Sequence, residues 1–307
     1  QLSLPPLTVD IAVNDNTDYI AHLRDKLDYV VTFRNNSAID LRNMTLAVKL
    51  DGSMFDYGTV QSAGFFDGRT NTITWPTSAI AGLANVRPGQ AVTVPFSVVL
   101  KQNFGSGGLG AKDSYIKASV RLETPDVPSD IKLDRLVATT DLITRISAAP
   151  TLEQRLATND STFGSTGPFP PKVDQTTLLT IQWIALNPSN DLTPAKVSTV
   201  LAPGVTWLNK TRVSGSQPQP MYNAKANTVT WDLGTLPGGT GSIWPTANAF
   251  FQVSITPSVN QIDKDAVLLI GPKLEGTDVI TKEQIVRALR DLTTNSVQNG
   301  GLTRVQR

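Results

Sequence analysis

A five-residue phrase, Asn71-Thr72-Ile73-Thr74-Trp75, returns in the second half of the chain as Asn227-Thr228-Val229-Thr230-Trp231. In each copy a β-branched apolar residue and a tryptophan alternate with threonines. An extended backbone therefore sets Ile73 and Trp75, or Val229 and Trp231, on one face and the threonines on the other. Such a period fits a half-buried strand. Turn formers precede each copy, Asp67-Gly68-Arg69-Thr70 and Asn223-Ala224-Lys225-Ala226, flanked by Phe65, Phe66 and Tyr222. Each phrase is expected to be the second strand of a hairpin whose tryptophan anchors a sandwich core.

Matching the halves around this phrase extends the repeat to nearly the whole chain. Asn35, Asp40 and Leu41 correspond to Asn187, Asp191 and Leu192, and Met44 to Leu50 corresponds to Ala195 to Leu201 at a constant offset. Phe96, Val98 and Leu100 fall on Phe251, Val253 and Ile255, and Leu122 to Val127 falls on Leu274 to Val279. Asp141 to Thr144 ends the first copy as Asp291 to Thr294 ends the second, with small drifts in offset expected at turns. A chain of 307 residues suits two domains of about 150. The expected fold is all-β, two tandem immunoglobulin-like β-sandwich domains covering residues 1–146 and 147–307, the second with a C-terminal tail.

Within the first half, alternation at Val9, Ile11 and Val13, at Tyr29 to Asn35 and at Met44, Leu46, Val48 and Leu50 reads as a β-meander. Arg87-Pro88-Gly89-Gln90 is a tight turn before the strand Val92 to Leu100, and no segment shows helical periodicity. Phe163 to Lys172 carries two phenylalanines and three prolines, too apolar and too stiff for a free linker. It is expected to lie along its own domain or to wedge between the two. The tail after Ser296 is expected to fray or to reach a neighbour.

Charge excludes whole classes of partner. With 27 basic and 26 acidic residues the net charge is +1, which favours neither nucleic acid nor an anionic membrane. Charged residues are 17% of the chain, and Thr, Ser, Asn, Gly and Pro are abundant, as in all-β extracellular proteins. The absence of cysteine rules out disulfides, thiolate metal sites and thiol nucleophiles. No stretch reaches the roughly 20 apolar residues of a membrane helix, so no membrane contact is expected within the segment. Starting at Gln1 without a basic and apolar leader, the chain is expected to be a processed or excised piece of something longer.

Candidate chemistry is sparse. His22 is the sole histidine, no Gly-x-Ser-x-Gly elbow accompanies it, and its duplicate position has no histidine, so it reads as a surface or loop residue. Glu123 and Asp126 recur as Glu275 and Asp278, and a catalytic carboxylate pair is not normally duplicated with its scaffold. They read as polar outward positions at a shared turn. Asn14, Asp15, Asn16 and Asp18 put hard oxygens on one turn, a calcium candidate. The run lacks the sixth-position glycine and bidentate acid of a calcium loop, so an Asx-turn is the competing reading. Gly105-Ser106-Gly107-Gly108-Leu109-Gly110 has no following Lys-Ser/Thr and reads as a hairpin loop rather than a phosphate cradle. Tyr57, Trp207, Tyr222 and Trp244 do not all fit a core by alternation and are candidate ligand-contact aromatics, core or interface packing being the alternative. Strand lysines such as Lys49 and Lys117 admit a Lys–Asn isopeptide bond in principle, but none is expected.

Taken together, Tyr29 to Asn36 with Asp40-Leu41, the Asn-Thr-Ile/Val-Thr-Trp hairpin, Leu236-Pro237-Gly238-Gly239 and Phe250 to Pro257 resemble the immunoglobulin-like "conserved repeat" modules of bacterial and archaeal surface proteins. Thr166-Gly167-Pro168 through Val173, Leu201 to Trp207 and Leu274 to Asp278 are similar to long surface proteins of candidate-phyla bacteria. The first half departs from the pattern in lacking the proline-glycine turn after its third strand. The resemblance implies tandem sandwiches at the cell surface and brings no catalytic residues, cofactor or metal. The expected role is a non-enzymatic structural or adhesive segment, with a surface glycan or another surface protein as partner and self-assembly open. The alternative is a carbohydrate- or protein-binding module, accessory to a larger secreted enzyme.

Overall fold

A computed structural model of the chain describes residues 4–104, 114–129, 131–297 and 302–307; the glycine run Gly105 to Gly110 lies outside them. Two compact units divide at Ser147 and Ala148.

In the first unit the strands are β1 (Leu7–Val13), β2 (Ile20–Ala21), β3 (Lys26–Asn35), β4 (Leu41–Arg42), β5 (Thr45–Asp51), β6 (Phe55–Ser62), β7 (Phe65–Asp67) and β8 (Thr72–Trp75). One helical turn, α1 (Ala81–Ala84), leads into β9 (Asn85–Val86), β10 (Ala91–Leu100), β11 (Tyr115–Thr124) and β12 (Leu136–Ile146). One sheet runs β1-β3-β10-β6 and the other β2-β12-β11-β5-β8-β7, with β4 and β9 as a small separate pair. The expected meander is thus corrected: β3 pairs with β1 and β10, while β5 belongs to the opposite sheet. Alternation tells which side chains face inward, and both sheets face the same core, so it cannot tell which sheet a strand joins. Val9, Val31 and Phe96 from one sheet meet Leu46, Trp75 and Leu122 from the other in a single core.

The second unit contains β13 (Thr151–Ala157), β14 (Thr177–Leu186), β15 (Leu192–Leu201), β16 (Val205–Val213), β17 (Met221–Asn223), β18 (Thr228–Leu236) and β19 (Ala247–Ile255). It ends with β20 (Val267–Asp278), β21 (Gln284–Ala288) and β22 (Leu292–Thr293). Its sheets run β13-β14-β19-β16 and β17-β18-β15-β20-β21, with β22 also on β20. This is the same sandwich, down to the pairing register. Leu46 faces Trp75 and Val48 faces Ile73, as Val197 faces Trp231 and Thr199 faces Val229. The hairpins turn at Asn71 and Asn227, with φ of 54° and 50°, a left-handed conformation that asparagine tolerates. Both carbonyls then accept the matched amides of Leu50 and Leu201, at 2.9 and 3.1 Å. Trp75 and Trp231 are fully buried.

Three further expectations change. One drift in offset falls inside a strand rather than at a turn: Ala118 and Leu269 occupy matched places, but by Leu122 and Leu274 the second copy is one residue ahead. The extra residue is a bulge at Gly271, whose φ of 58° suits glycine. Beyond it, the partner strand that is continuous as β12 in the first unit is broken into β21 and β22. Secondly, the first unit does have the proline-glycine turn. The buried Asn35 donates to the Val86 carbonyl as Asn187 donates to that of Leu236, so Arg87-Pro88-Gly89 stands where Pro237-Gly238-Gly239 stands. Thirdly, residues Thr303 to Gln306 of the tail do not fray. Val305 is fully buried, its carbonyl accepts the Asp263 amide, and the Gln306 amide donates to Pro171.

The proline-rich segment lies along its own unit. Phe169 packs on the core, the Leu178 amide donates to the Thr166 carbonyl, and the Arg212 guanidinium sits 4.1 Å above the Phe250 ring and 6.0 Å from Phe163.

Candidate contact site

Tyr57 and Trp207 hold one position in the two copies, two residues into edge strands β6 and β16, whose first residues pair with Leu100 and Ile255. Each reaches an aromatic on the short edge strand of the opposite sheet. Tyr57 stacks on Phe66 at 6.3 Å and 14°, and Trp207 on Tyr222 at 5.9 Å and 20°. Trp207 also lies 5.3 Å from Phe251. These pairs clasp the two sheets along one edge, and all three sequence-flagged rings are half-buried. The Tyr222 hydroxyl donates to Asn227 Oδ1 at 2.9 Å, and the Tyr57 hydroxyl lies 2.9 Å from the Gly52 carbonyl. Burial first, and then the negative charge of Asp51, raise the Tyr57 phenol above its ordinary pKa.

Trp244 differs from the other three. In the first unit Gln90, whose carbonyl takes the Asn35 amide, leads straight into β10. In the second, Thr240 takes the Asn187 amide in the same way, but Gly241 to Thr246 intervene before β19. The inserted loop is pinned. The Gly239 carbonyl accepts the amides of Ser242, Ile243 and Trp244, and the Gly241 amide donates back to the Trp244 carbonyl at 2.8 Å. On this fixed backbone the Trp244 indole is 58% exposed and Ile243 39%. No reading of the first copy could have pointed to it, because the loop has no counterpart there.

The calcium candidates form a two-residue turn. Asn14 and Asp15 take positive φ, and Val13 and Asn16 exchange both backbone hydrogen bonds. The oxygens of Asn14, Asn16 and Asp18 face the chain's own donors. Asn14 Oδ1 accepts the Asp28 amide at 2.9 Å, Asn16 Oδ1 the Asp18 amide at 2.8 Å, and Asp18 pairs with Arg145 at 2.6 Å. His22 is an exposed loop residue with Nδ1 3.7 Å from Asp25. Lys49 and Lys117 point outward, paired with Asp51 at 3.0 Å and Asp141 at 2.7 Å. The Lys117 and Ser119 hydrogen bonds hold the Asp141 carboxyl below its ordinary range.

Of the duplicated carboxylates, Glu123 pairs with Arg121 and Arg135, and Glu275 with Lys273 and Lys196. Asp126 accepts the Arg42 amide at 2.6 Å. For Asp278 the outward reading is corrected, because its side chain is wholly buried. Oδ2 accepts from the Ala148 amide and Asn190 Nδ2, both at 2.8 Å, and Oδ1 from the amides of Ile280 and Thr281. A carboxylate with this many donors is a knot tying the start of the second unit to the end of β20. Its recurrence with Asp126 was visible; its burial was not, because two of its donors, Ala148 and Asn190, come from distant segments.

No family model and no curated protein matches the chain. Among solved structures it is similar to the C-terminal domain of the antigen I/II-family protein AspA of Streptococcus pyogenes, at 11% identity and a TM-score of 0.35, over 94% of this chain and 99% of that one. It is also similar to AvmM, which catalyses macrocyclization in alchivemycin A biosynthesis, at 9% identity and a TM-score of 0.30, over 48% of this chain and 91% of that one. Neither likeness bears on what this chain does. No helix among the described residues is long and apolar enough to cross a membrane.

Proposed function

We propose that the chain is a non-enzymatic structural or adhesive segment of a cell-surface or extracellular protein, built from tandem sandwich modules of the "conserved repeat" kind. The supporting observation is that register, hairpin turns, aromatic clasps and the buried asparagine all recur between units. Duplication of a whole scaffold multiplies load-bearing or spacing units, whereas a catalytic centre needs residues that are set apart. The expected result is that residues 1–147 and 148–307, expressed separately, each melt as they do in the full chain. Turnover of glycoside, ester or peptide substrates, lost on a substitution within one unit, would overturn the proposal.

A second reading rests on the Trp244 loop. An inserted, hydrogen-bonded loop that displays an indole gives the second unit a preorganised contact for a surface glycan or another surface protein. Trp244→Ala is expected to change stability by less than about 0.5 kcal/mol, as for an exposed side chain, while removing retention on a glycan array or in a surface-protein pull-down. Unchanged retention would remove this reading and leave the structural one standing.

A further inference from the structure

Asn35 and Asn187 are each fully buried at the same place in the two units. Both spend their amide hydrogens on two carbonyls, Ile39 and Val86 at 2.8 Å in the first unit, Asn190 at 2.7 Å and Leu236 at 3.0 Å in the second. This fixes the amide's orientation and leaves Oδ1 as an acceptor in want of a donor. In the first unit the serine two residues on supplies it, Ser37 donating through its amide at 2.9 Å and its hydroxyl at 2.7 Å. In the second, neither Asn187 Oδ1 nor Ser189 Oγ meets a partner among the described residues, although Ser189 is only 2% exposed.

The Ser189 segment is also seated on its other side. Pro188 replaces Asn36 and fixes its own φ. Gly238 packs against the Ser189 carbonyl so closely that a Cβ there would stand 1.6 Å from the oxygen, and its amide donates to Asp191 Oδ1 at 2.7 Å. The loop cannot fold back as Ser37 does without breaking this seat.

We propose that the second unit binds one buried water between Asn187 Oδ1 and Ser189 Oγ. The guest has to donate a hydrogen to Oδ1 and can give to or take from the hydroxyl, which a water does within its ordinary two to four bonds. A monovalent cation would need more oxygens, and the buried carboxylate joined to this loop through Asn190, Asp278, is already taken by N–H donors. The water lies at the foot of the inserted loop, because the Asn187 amide bonds to Thr240, which bridges to Trp244.

The test is a high-resolution crystal structure of the full chain with water-to-protein NMR cross-relaxation on the same protein. The expected result is one density peak within hydrogen-bonding distance of both oxygens, and long-lived water contacts to the Asn187 side-chain amide but not to that of Asn35. A Ser189 hydroxyl bonded directly to Asn187, or the absence of any such contact, overturns the proposal. So does an anomalous peak at the position after a thallium soak, which would make the guest a cation. Ser37→Ala is expected to leave the Asn187 water signal unchanged; its loss would also overturn the assignment.

Discussion

The two units keep the same frame and fill it differently. Phe96 and Phe251 are matched hubs, opposite Tyr29 and Ile181 respectively. In the first unit Tyr29 stacks flat on Phe96 at 4.8 Å and Trp75 tilts against it at 5.8 Å. In the second, Trp183 meets Phe251 edge-on at 4.9 Å and Trp207 lies against it at 5.3 Å. Even the shared tryptophans differ. Trp231 Nε1 donates to the Pro218 carbonyl at 2.9 Å, while the buried Nε1 of Trp75 has no hydrogen-bond partner among the described residues. What fixes the backbone, namely register, asparagine turns and the asparagine tie, thus recurs between the units while the aromatic packing differs, since a core tolerates exchange at constant volume.

That contrast can be broken most forcefully at the tryptophans. Trp75→Ala and Trp231→Ala are each expected to cost about 3–5 kcal/mol, because a fully buried indole leaves a large cavity. Phenylalanine should separate them. Trp231→Phe strands the Pro218 carbonyl and is expected to cost about 1 kcal/mol more than Trp75→Phe, which removes an N–H that had no partner. Urea unfolding of the full chain, followed by unit-specific probes, measures both; equal costs would mean that the cores are interchangeable after all.

A smaller asymmetry separates the duplicated aspartates. Asp278→Ala leaves four formerly bonded donors around a buried space and is expected to cost about 3 kcal/mol or more. Asp126→Ala loses a half-exposed acceptor of the Arg42 amide and is expected to cost about 1 kcal/mol. Similar losses in the two units would show that Asp278 is no knot.

What could be read in the chain follows the range of each interaction. The hairpins at Trp75 and Trp231 were legible because strand, turn and anchor lie within about ten residues and the period is set by pleating alone. The sheet to which β5 belongs was not, because inward alternation is common to both sheets. Tyr57, Trp207 and Tyr222 stood out as misplaced aromatics since their partners sit across the sandwich, on strands that alternation treats independently. Asp278 reads as a turn residue through its local donors, Ile280 and Thr281, while the distant ones, Ala148 and Asn190, are not visible from its neighbourhood in the chain. The Gly271 bulge was hidden in the repeat itself, where one extra residue registers only as a drift in offset.

The mildest test at neutral pH concerns titration, where the first unit carries Tyr57 and Tyr29 at the positions that Trp207 and Ile181 hold in the second. Burial pushes the Tyr29 phenol far above its ordinary pKa, with a hydrogen bond to Thr144 opposing, and Tyr57 is raised as well. The matched residues Ile181 and Trp207 do not ionise. A group whose pKa is higher folded than unfolded contributes stability that is complete below the unfolded value, about 10 for a phenol, and is lost as the pH rises above it. The first unit is accordingly expected to lose stability before the second in alkaline solution, with no difference in slope near neutrality. Tyr29→Phe should flatten that slope while keeping the ring on Phe96, at a cost of about 1 kcal/mol for the hydroxyl's hydrogen bond. Unfolding midpoints of each unit across the alkaline range decide the matter. If the second unit fails first, or if Tyr29→Phe leaves the slope intact, the difference in how the two frames are filled has no bearing on their alkaline stability.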